Sequence, residues 1–150
     1  MFCWIVSVKK SPISEVILLM KLKLLLFEGF INIFSNEYLF IQSIYRESDT
    51  LNGVYSFKSG FREACAVLNK CNLYVCLEGG FVQAAAALNK KAVVYFGGWI
   101  DPKIIGYDFH ENIYYNNEKS PCGEYKSLCN HCEDARKLIT VDFFYKKISK

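Results

Sequence analysis

The chain has 150 residues, of which 52% are hydrophobic and 16% are aromatic, and its formal net charge is +3. This length and composition favour one globular domain with a sizeable buried core. The basic residues are spread along the sequence instead of forming a cluster, which argues against nucleic acid as a partner.

The cysteines indicate a reducing compartment. There are seven, an odd number, and Cys65, Cys71 and Cys76 lie in stretches that have the patterns of a helix and a strand. A secreted domain held together by disulfides would pair its cysteines in loops, so this distribution argues against one. The sequence therefore predicts a cytoplasmic protein.

Residues 1–37 form a hydrophobic amino-terminal segment that differs from residues 38–150. The run VILLMKLKLLLF within residues 15–34 carries Lys21 and Lys23, so no apolar stretch reaches the roughly 20 residues of a membrane-spanning helix. No small-residue cleavage site of a signal peptide follows. We predict a buried or partner-covered helix here, with a helix lying in a membrane interface as the alternative.

Strands and helices then alternate along the chain. A strand is predicted over residues 38–44 and another over residues 54–57, after the Asn52-Gly53 turn signal. A helix over residues 60–69 follows, in which Glu63 can reach back to the amide of Gly60 as half of a capping box.

Residues 73–98 contain a strand, a glycine turn, an alanine-rich helix and a second strand: LYVCLEGGFVQAAAALNKKAVVYFGG. Glu78, Gly79 and Gly80 form the turn, and the helix is predicted over residues 81–88. Free amides at the start of such a helix face the carboxyl edge of the strands, where open α/β sheets bind phosphate groups. The pattern therefore predicts a phosphate-binding βαβ unit; a plain strand-to-helix turn is the alternative.

The remaining elements complete an α/β pattern. Strands are predicted over residues 92–96 and 112–115, and Thr140 is the predicted N-cap of a terminal helix over residues 141–149 with lysines near its end. This alternation predicts a Rossmann-like, mostly parallel sheet with helices on both faces.

Cys122, Cys129, Cys132 and His131 form a second group of candidate residues. Three thiolates and an imidazole make an accepted structural zinc set, and the spacing between Cys129 and Cys132 is one that such sites use. A second tight cysteine pair is missing, and the adjacent His131 and Cys132 cannot easily both point at one metal. Packed or free thiols and a redox or disulfide pair stay open as alternatives.

Other polar and aromatic side chains carry weaker signals. His110 lies in a polar segment, where it can approach a phosphate or act as a surface or capping residue. Trp99, which follows Gly97 and Gly98, can offer an aromatic face to a base or sugar or can be buried as a structural residue. The loop carboxylates show no diagnostic pair, and we assign no catalytic residue.

The order of these motifs resembles the carboxyl-terminal half of family 9 glycosyltransferases, a family that includes the heptosyltransferases of lipopolysaccharide assembly. The resemblance is carried by FREACAVLNKCNLYVCLEGGFVQAAAALNKKAVVYFGG, by Asp101-Pro102, Gly106-Tyr107 and Asn112, and by SPCGEYKSLCNHC. It spans residues 40–150. It implies a GT-B architecture in which two Rossmann-like halves face each other, and residues 38–150 would be the half that binds the nucleotide sugar.

The resemblance also implies the residues that bind the donor. The family's acidic-small-glycine loop falls on Glu78, Gly79 and Gly80, and the first helix amides, at Phe81 and Val82, would join them on the diphosphate. Many members have Asp in place of Glu78 and His in place of Gln83. The predicted donor site comprises Glu78, Gly79, Gly80, Phe81, Val82, Gln83, Gly97 and Gly98.

As an activity, the resemblance implies transfer of a sugar from a nucleotide-diphosphate donor to a cell-envelope glycan or lipid-linked acceptor, with inversion and without a required cofactor. The chain is too short to hold both halves, so the resemblance implies a missing amino-terminal domain or partner chain. A location at the inner face of the cytoplasmic membrane, with peripheral contact, would suit such acceptors. The alternative is a non-catalytic binding or assembly module derived from the same fold.

Overall fold

The structure is a computed structural model that describes residues 16–18, 29, 31–36, 38–44, 51–124, 129–138 and 140–148. Its strands are β1 (Val16–Leu18), β2 (Leu39–Ile44), β3 (Tyr55–Lys58), β4 (Leu73–Leu77), β5 (Ala92–Tyr95) and β6 (Glu111–Ile113). Its helices are α1 (Phe61–Lys70), α2 (Gly80–Ala87), α3 (Pro102–Ile105), α4 (Asn130–Lys137) and α5 (Val141–Ile148).

The six described strands form one parallel sheet in the order β3-β2-β1-β4-β5-β6. The connections lead outward from β1 to one side and from β4 to the other side. Between these two strands lies the point where the strand order reverses, as in doubly wound α/β folds. The predicted α/β class and the parallel sheet are therefore confirmed, in an arrangement compatible with a Rossmann-like fold.

β1 corrects one prediction for the amino-terminal segment. Ile17 pairs with Phe40 of β2 and with Leu73 of β4, so residues 16–18 are a strand inside the sheet and not part of a helix. A short continuous apolar run has no period that separates a buried strand from a buried helix, which explains the error. Residues 31–34 are helical, as predicted, and residues 19–28 lie outside the described part of the chain.

The helix ends follow the capping chemistry of the sequence. Glu63 accepts a hydrogen bond from the amide of Gly60 at 2.5 Å, and Thr140 Oγ1 accepts one from the amide of Phe143 at 3.2 Å. Both predicted caps are confirmed. The short α3 was not predicted; it begins after Asp101, whose side chain accepts from the amide of Lys103 at 2.9 Å.

Within the described ranges, no helix has the length and apolar character needed to cross a membrane.

The sheet is covered on both faces. Successive side chains of a strand point to opposite faces, so Tyr74 and Cys76 of β4 face one core while Val75 faces another. The first core packs against α1 and α2, and the second packs against residues 31–34 and Phe143 of α5. This confirms the predicted layering of helices on both sides of the sheet.

Gly106 sits where the backbone allows no side chain. A Cβ there would lie 2.5 Å from the carbonyl oxygen of Pro102 and 3.2 Å from the amide group of Asn112. We expect Gly106→Ala to lower the free energy of unfolding by about 1–3 kcal/mol, because the Pro102 carbonyl and the Asn112 side chain would have to move away from the added methyl group. Urea denaturation checks this against Gly80→Ala, whose added methyl would meet nothing within 4 Å. Equal stability of the two variants would contradict the expectation.

Candidate functional site

The loop formed by Glu78, Gly79 and Gly80 leaves the carboxyl end of β4 and leads into α2. β4 is paired with β1, so this loop lies beside the point where the strand order reverses. Open parallel sheets bind their ligands in the crevice outside the carboxyl ends of the strands at that point. The topology thus places the predicted phosphate-binding loop in the position that such sheets use.

The Glu78 carboxylate holds the neighbouring loop in place. Its two oxygens accept from the amide of Gly97 at 3.2 and 3.3 Å, and Oε1 accepts from Trp99 Nε1 at 2.6 Å. These bonds tie the end of β4 to the segment that follows β5. Glu78 is therefore a positioning residue for this segment, and the half-buried Trp99 turns its indole N–H toward Glu78.

Open space lies above the two glycines of the loop. A Cβ built on Gly79 or on Gly80 would meet no atom within 4 Å. The amide of Val82 donates to the carbonyl oxygen of Gly79 at 3.0 Å, so the predicted diphosphate contact from this amide is replaced by an internal hydrogen bond. The side chains of Phe81 and Val82 are buried in the core. A ligand would therefore approach Gly79 and Gly80 at the positive end of the α2 dipole.

The side chain of Gln83 in α2 reaches the end of α3. Its Nε2 donates to the carbonyl oxygen of Ile105 at 3.3 Å, and its Oε1 accepts from the hydroxyl of Tyr107. Both ends of the amide therefore have partners within the chain. No local sequence signal identifies Tyr107 as the partner, because the two residues are 24 positions apart.

His110 immediately precedes β6 and lies beside the amino-terminal end of β5. It is buried, its Nδ1 accepts from the amide of Ala92 at 3.3 Å, and its ring contacts those of Tyr107 and Phe109. The predicted surface position is therefore wrong, whereas the alternative of a capping residue fits the hydrogen bond from Ala92. The neighbouring aromatic rings provide the physical reason, since they cover an imidazole that the polar sequence context had placed in solvent.

Burial lowers the pKa of His110 below its ordinary value, because the imidazolium would lose its hydration. The folded state thus favours the neutral ring. The free energy of unfolding therefore falls as the pH drops below the unfolded-state pKa of about 6.5, because the unfolded chain then binds the proton more readily. We expect urea midpoints measured between pH 7.5 and 5.5 to fall less in His110→Gln, which stays neutral and can still accept from Ala92. An identical fall in both proteins would contradict this assignment.

Cys122, Cys129 and Cys132 come together beside the site. The Sγ atoms of Cys122 and Cys132 are 3.2 Å apart, those of Cys129 and Cys132 are 3.2 Å apart, and those of Cys122 and Cys129 are 3.6 Å apart. The three thiols can therefore hold a metal ion, which is compatible with the zinc site that the sequence analysis considered as one of three alternatives. His131 does not join them, since its Nε2 lies 3.0 Å from Ser120 Oγ. Its predicted place in the ligand set is wrong, because adjacent residues on a helix point in different directions.

Backbone hydrogen bonds connect this cysteine cluster to the glycine loop. The amide of Cys122 donates to the carbonyl oxygen of Gly98 at 3.2 Å, and that of Gly123 donates to Trp99 at 2.9 Å. Gly98 has φ 94°, a conformation that favours glycine. The path from Glu78 through residues 97–99 to Cys122 is thus continuous. Sequence reasoning missed it, because it joins segments about 20 residues apart.

No protein-family model, no curated protein and no solved structure matches this chain. The resemblance to family 9 glycosyltransferases thus stays a prediction that rests on the motifs themselves.

Proposed function

We propose that this domain binds the nucleotide-diphosphate sugar of a heptosyltransferase-like glycosyltransferase, as the donor half of a GT-B enzyme. The observation that carries the proposal is the glycine loop at the carboxyl end of β4, with open space above Gly79 and Gly80. This loop lies beside the reversal of strand order, where phosphate-bearing ligands bind in doubly wound sheets.

In this function the loop stabilises the leaving group. The acceptor hydroxyl attacks the anomeric carbon, the bond from that carbon to the diphosphate oxygen breaks, and the electron pair leaves with the nucleoside diphosphate. The amide of Gly80 and the α2 dipole face the growing negative charge, which lowers the barrier electrostatically. Residues 97–99, held by Glu78, would form the adjacent wall of the donor site.

The base that takes the proton of the acceptor hydroxyl would come from the acceptor-binding half, on an amino-terminal domain or a partner chain. Glu78 serves the Gly97 and Trp99 donors, and Asp101 caps α3. This use of the loop carboxylate within the chain favours the second candidate, a non-catalytic binding module, over an enzyme that is active alone. Acceptors of the cell envelope would place either form at the inner face of the cytoplasmic membrane.

Thermal unfolding with ADP, UDP, GDP and CDP tests nucleotide binding directly. A nucleotide at about 100 times its Kd stabilises the folded state by about 2.7 kcal/mol, which raises the melting temperature by roughly 5–10 °C. We expect one nucleotide to do this and Gly80→Asp to abolish the rise, because the added carboxylate occupies the phosphate position.

Ala87→Asp is the matched control, since it adds the same charge to an exposed position at the other end of α2. It should keep the nucleotide-dependent rise. Binding that survives in Gly80→Asp would place the ligand elsewhere, and no rise with any nucleotide in folded protein would overturn the proposal.

A further inference from the structure

The cysteine cluster, formed by Cys122, Cys129 and Cys132, is the densest group of metal-ligating side chains in the part of the chain that the structure describes. Cys132 is buried, and the other two are half-buried. Each of the three sulfur atoms contacts both of the others. A disulfide joins only two sulfurs, so a single disulfide does not account for the convergence of all three.

The separations fit one metal ion. The circle through the three sulfur atoms has a radius of about 1.9 Å, so a point about 1.2 Å above their plane is about 2.3 Å from each, the usual zinc–sulfur distance. In an ideal tetrahedron the sulfurs would be about 3.8 Å apart. They therefore need to separate by only a few tenths of an ångström.

The local backbone favours a thiolate at Cys129. Cys129 immediately precedes α4, where the helix dipole stabilises negative charge, and the amide of Cys132 lies 3.4 Å from Cys129 Sγ. An amide that donates to the first sulfur of a Cys-x-x-Cys turn stabilises its anionic form. Soft thiolates in a roughly tetrahedral arrangement select zinc among the abundant divalent ions that have no redox chemistry.

We infer that Cys122, Cys129 and Cys132 bind one zinc ion as thiolates and that this ion fixes the Cys122 segment against residues 97–99. Among the described residues, no further His, Cys, Asp or Glu joins the three, so the fourth ligand is solvent or another part of the chain. Each thiol gives up a proton to the solvent as it binds. The ion would join α4 to Cys122, whose amide donates to Gly98. This role is structural and does not depend on nucleotide binding.

Metal analysis of the protein purified under reducing conditions tests the inference. We expect about one zinc per chain, as four-coordinate structural sites hold, and its loss in Cys129→Ser and in Cys132→Ser. Cys65→Ser is the matched control, because Cys65 lies in α1 outside the cluster, and it should retain the metal.

A second measurement uses the unaltered chain, in case the cysteine variants fail to fold. Cobalt(II) replacing zinc should give intense thiolate-to-cobalt charge-transfer absorption, and a thiol reagent should label three more cysteines after chelation than before. A reduced, folded protein that takes up neither zinc nor cobalt would overturn the inference. So would a chain two mass units lighter with a disulfide in the cluster, or bound iron with visible absorption in place of zinc.

Discussion

Phe96→Ala is expected to lower the free energy of unfolding by about 3–5 kcal/mol, the usual cost of truncating a fully buried aromatic side chain. The side chain is 1% exposed and lies in the core under α1 and α2. Its ring meets that of Tyr114 edge to face, with centroids 6.5 Å apart. Truncation would leave a cavity beneath the segment that carries Gly97 and Trp99, so the site should loosen together with the core.

Phe61→Ala makes the same chemical change at the surface and serves as its control. Phe61 is 55% exposed, and its ring packs on Phe81 with centroids 4.5 Å apart. We expect a cost of about 1 kcal/mol, mainly from the lost ring contact. Urea denaturation at pH 7.5 measures both variants. A similar cost for the two substitutions would show that the core does not lie where the fold places it.

The local pattern was sufficient for most of the central fold. The strand at Leu73, the glycine turn, the alanine-rich helix and the strand at Ala92 were predicted with ends within one or two residues of those observed. Their signals are local, since glycine turns, caps and apolar runs depend on neighbours in sequence. β1 was missed for the same reason, because only its pairing with β2 and β4 identifies it as a strand.

The site was less predictable, because its contacts join distant segments. The loop itself was found from two glycines, but the partners of Glu78 lie 19 and 21 residues away. The sequence grouped Cys122, Cys129, Cys132 and His131 as candidates, but it could not show that the three sulfur atoms meet while His131 turns toward Ser120. These contacts depend on which segments of the chain meet in three dimensions. The local pattern of one sequence does not encode those meetings.

Glu78→Gln is expected to lower the free energy of unfolding by about 1.5–3 kcal/mol, the range for losing hydrogen bonds to a charged acceptor. The carboxylate accepts from the amide of Gly97 and from Trp99 Nε1, and one end of a glutamine amide can only donate. Two donors would then face each other. Trp99→Phe removes one donor and leaves the carboxylate with Gly97, so we expect a smaller loss of about 1–2 kcal/mol.

The double variant separates a direct bond from two independent effects. If the 2.6 Å bond between Glu78 and Trp99 is the main link, the combined loss should be smaller than the sum of the single losses by about 1–2 kcal/mol. Additivity within about 0.5 kcal/mol would show that the two residues act separately. A coupled pair would also give the Glu78 carboxylate a role in setting the position of residues 97–99. If the domain binds a nucleotide as proposed, the stabilisation by that nucleotide should weaken in both single variants.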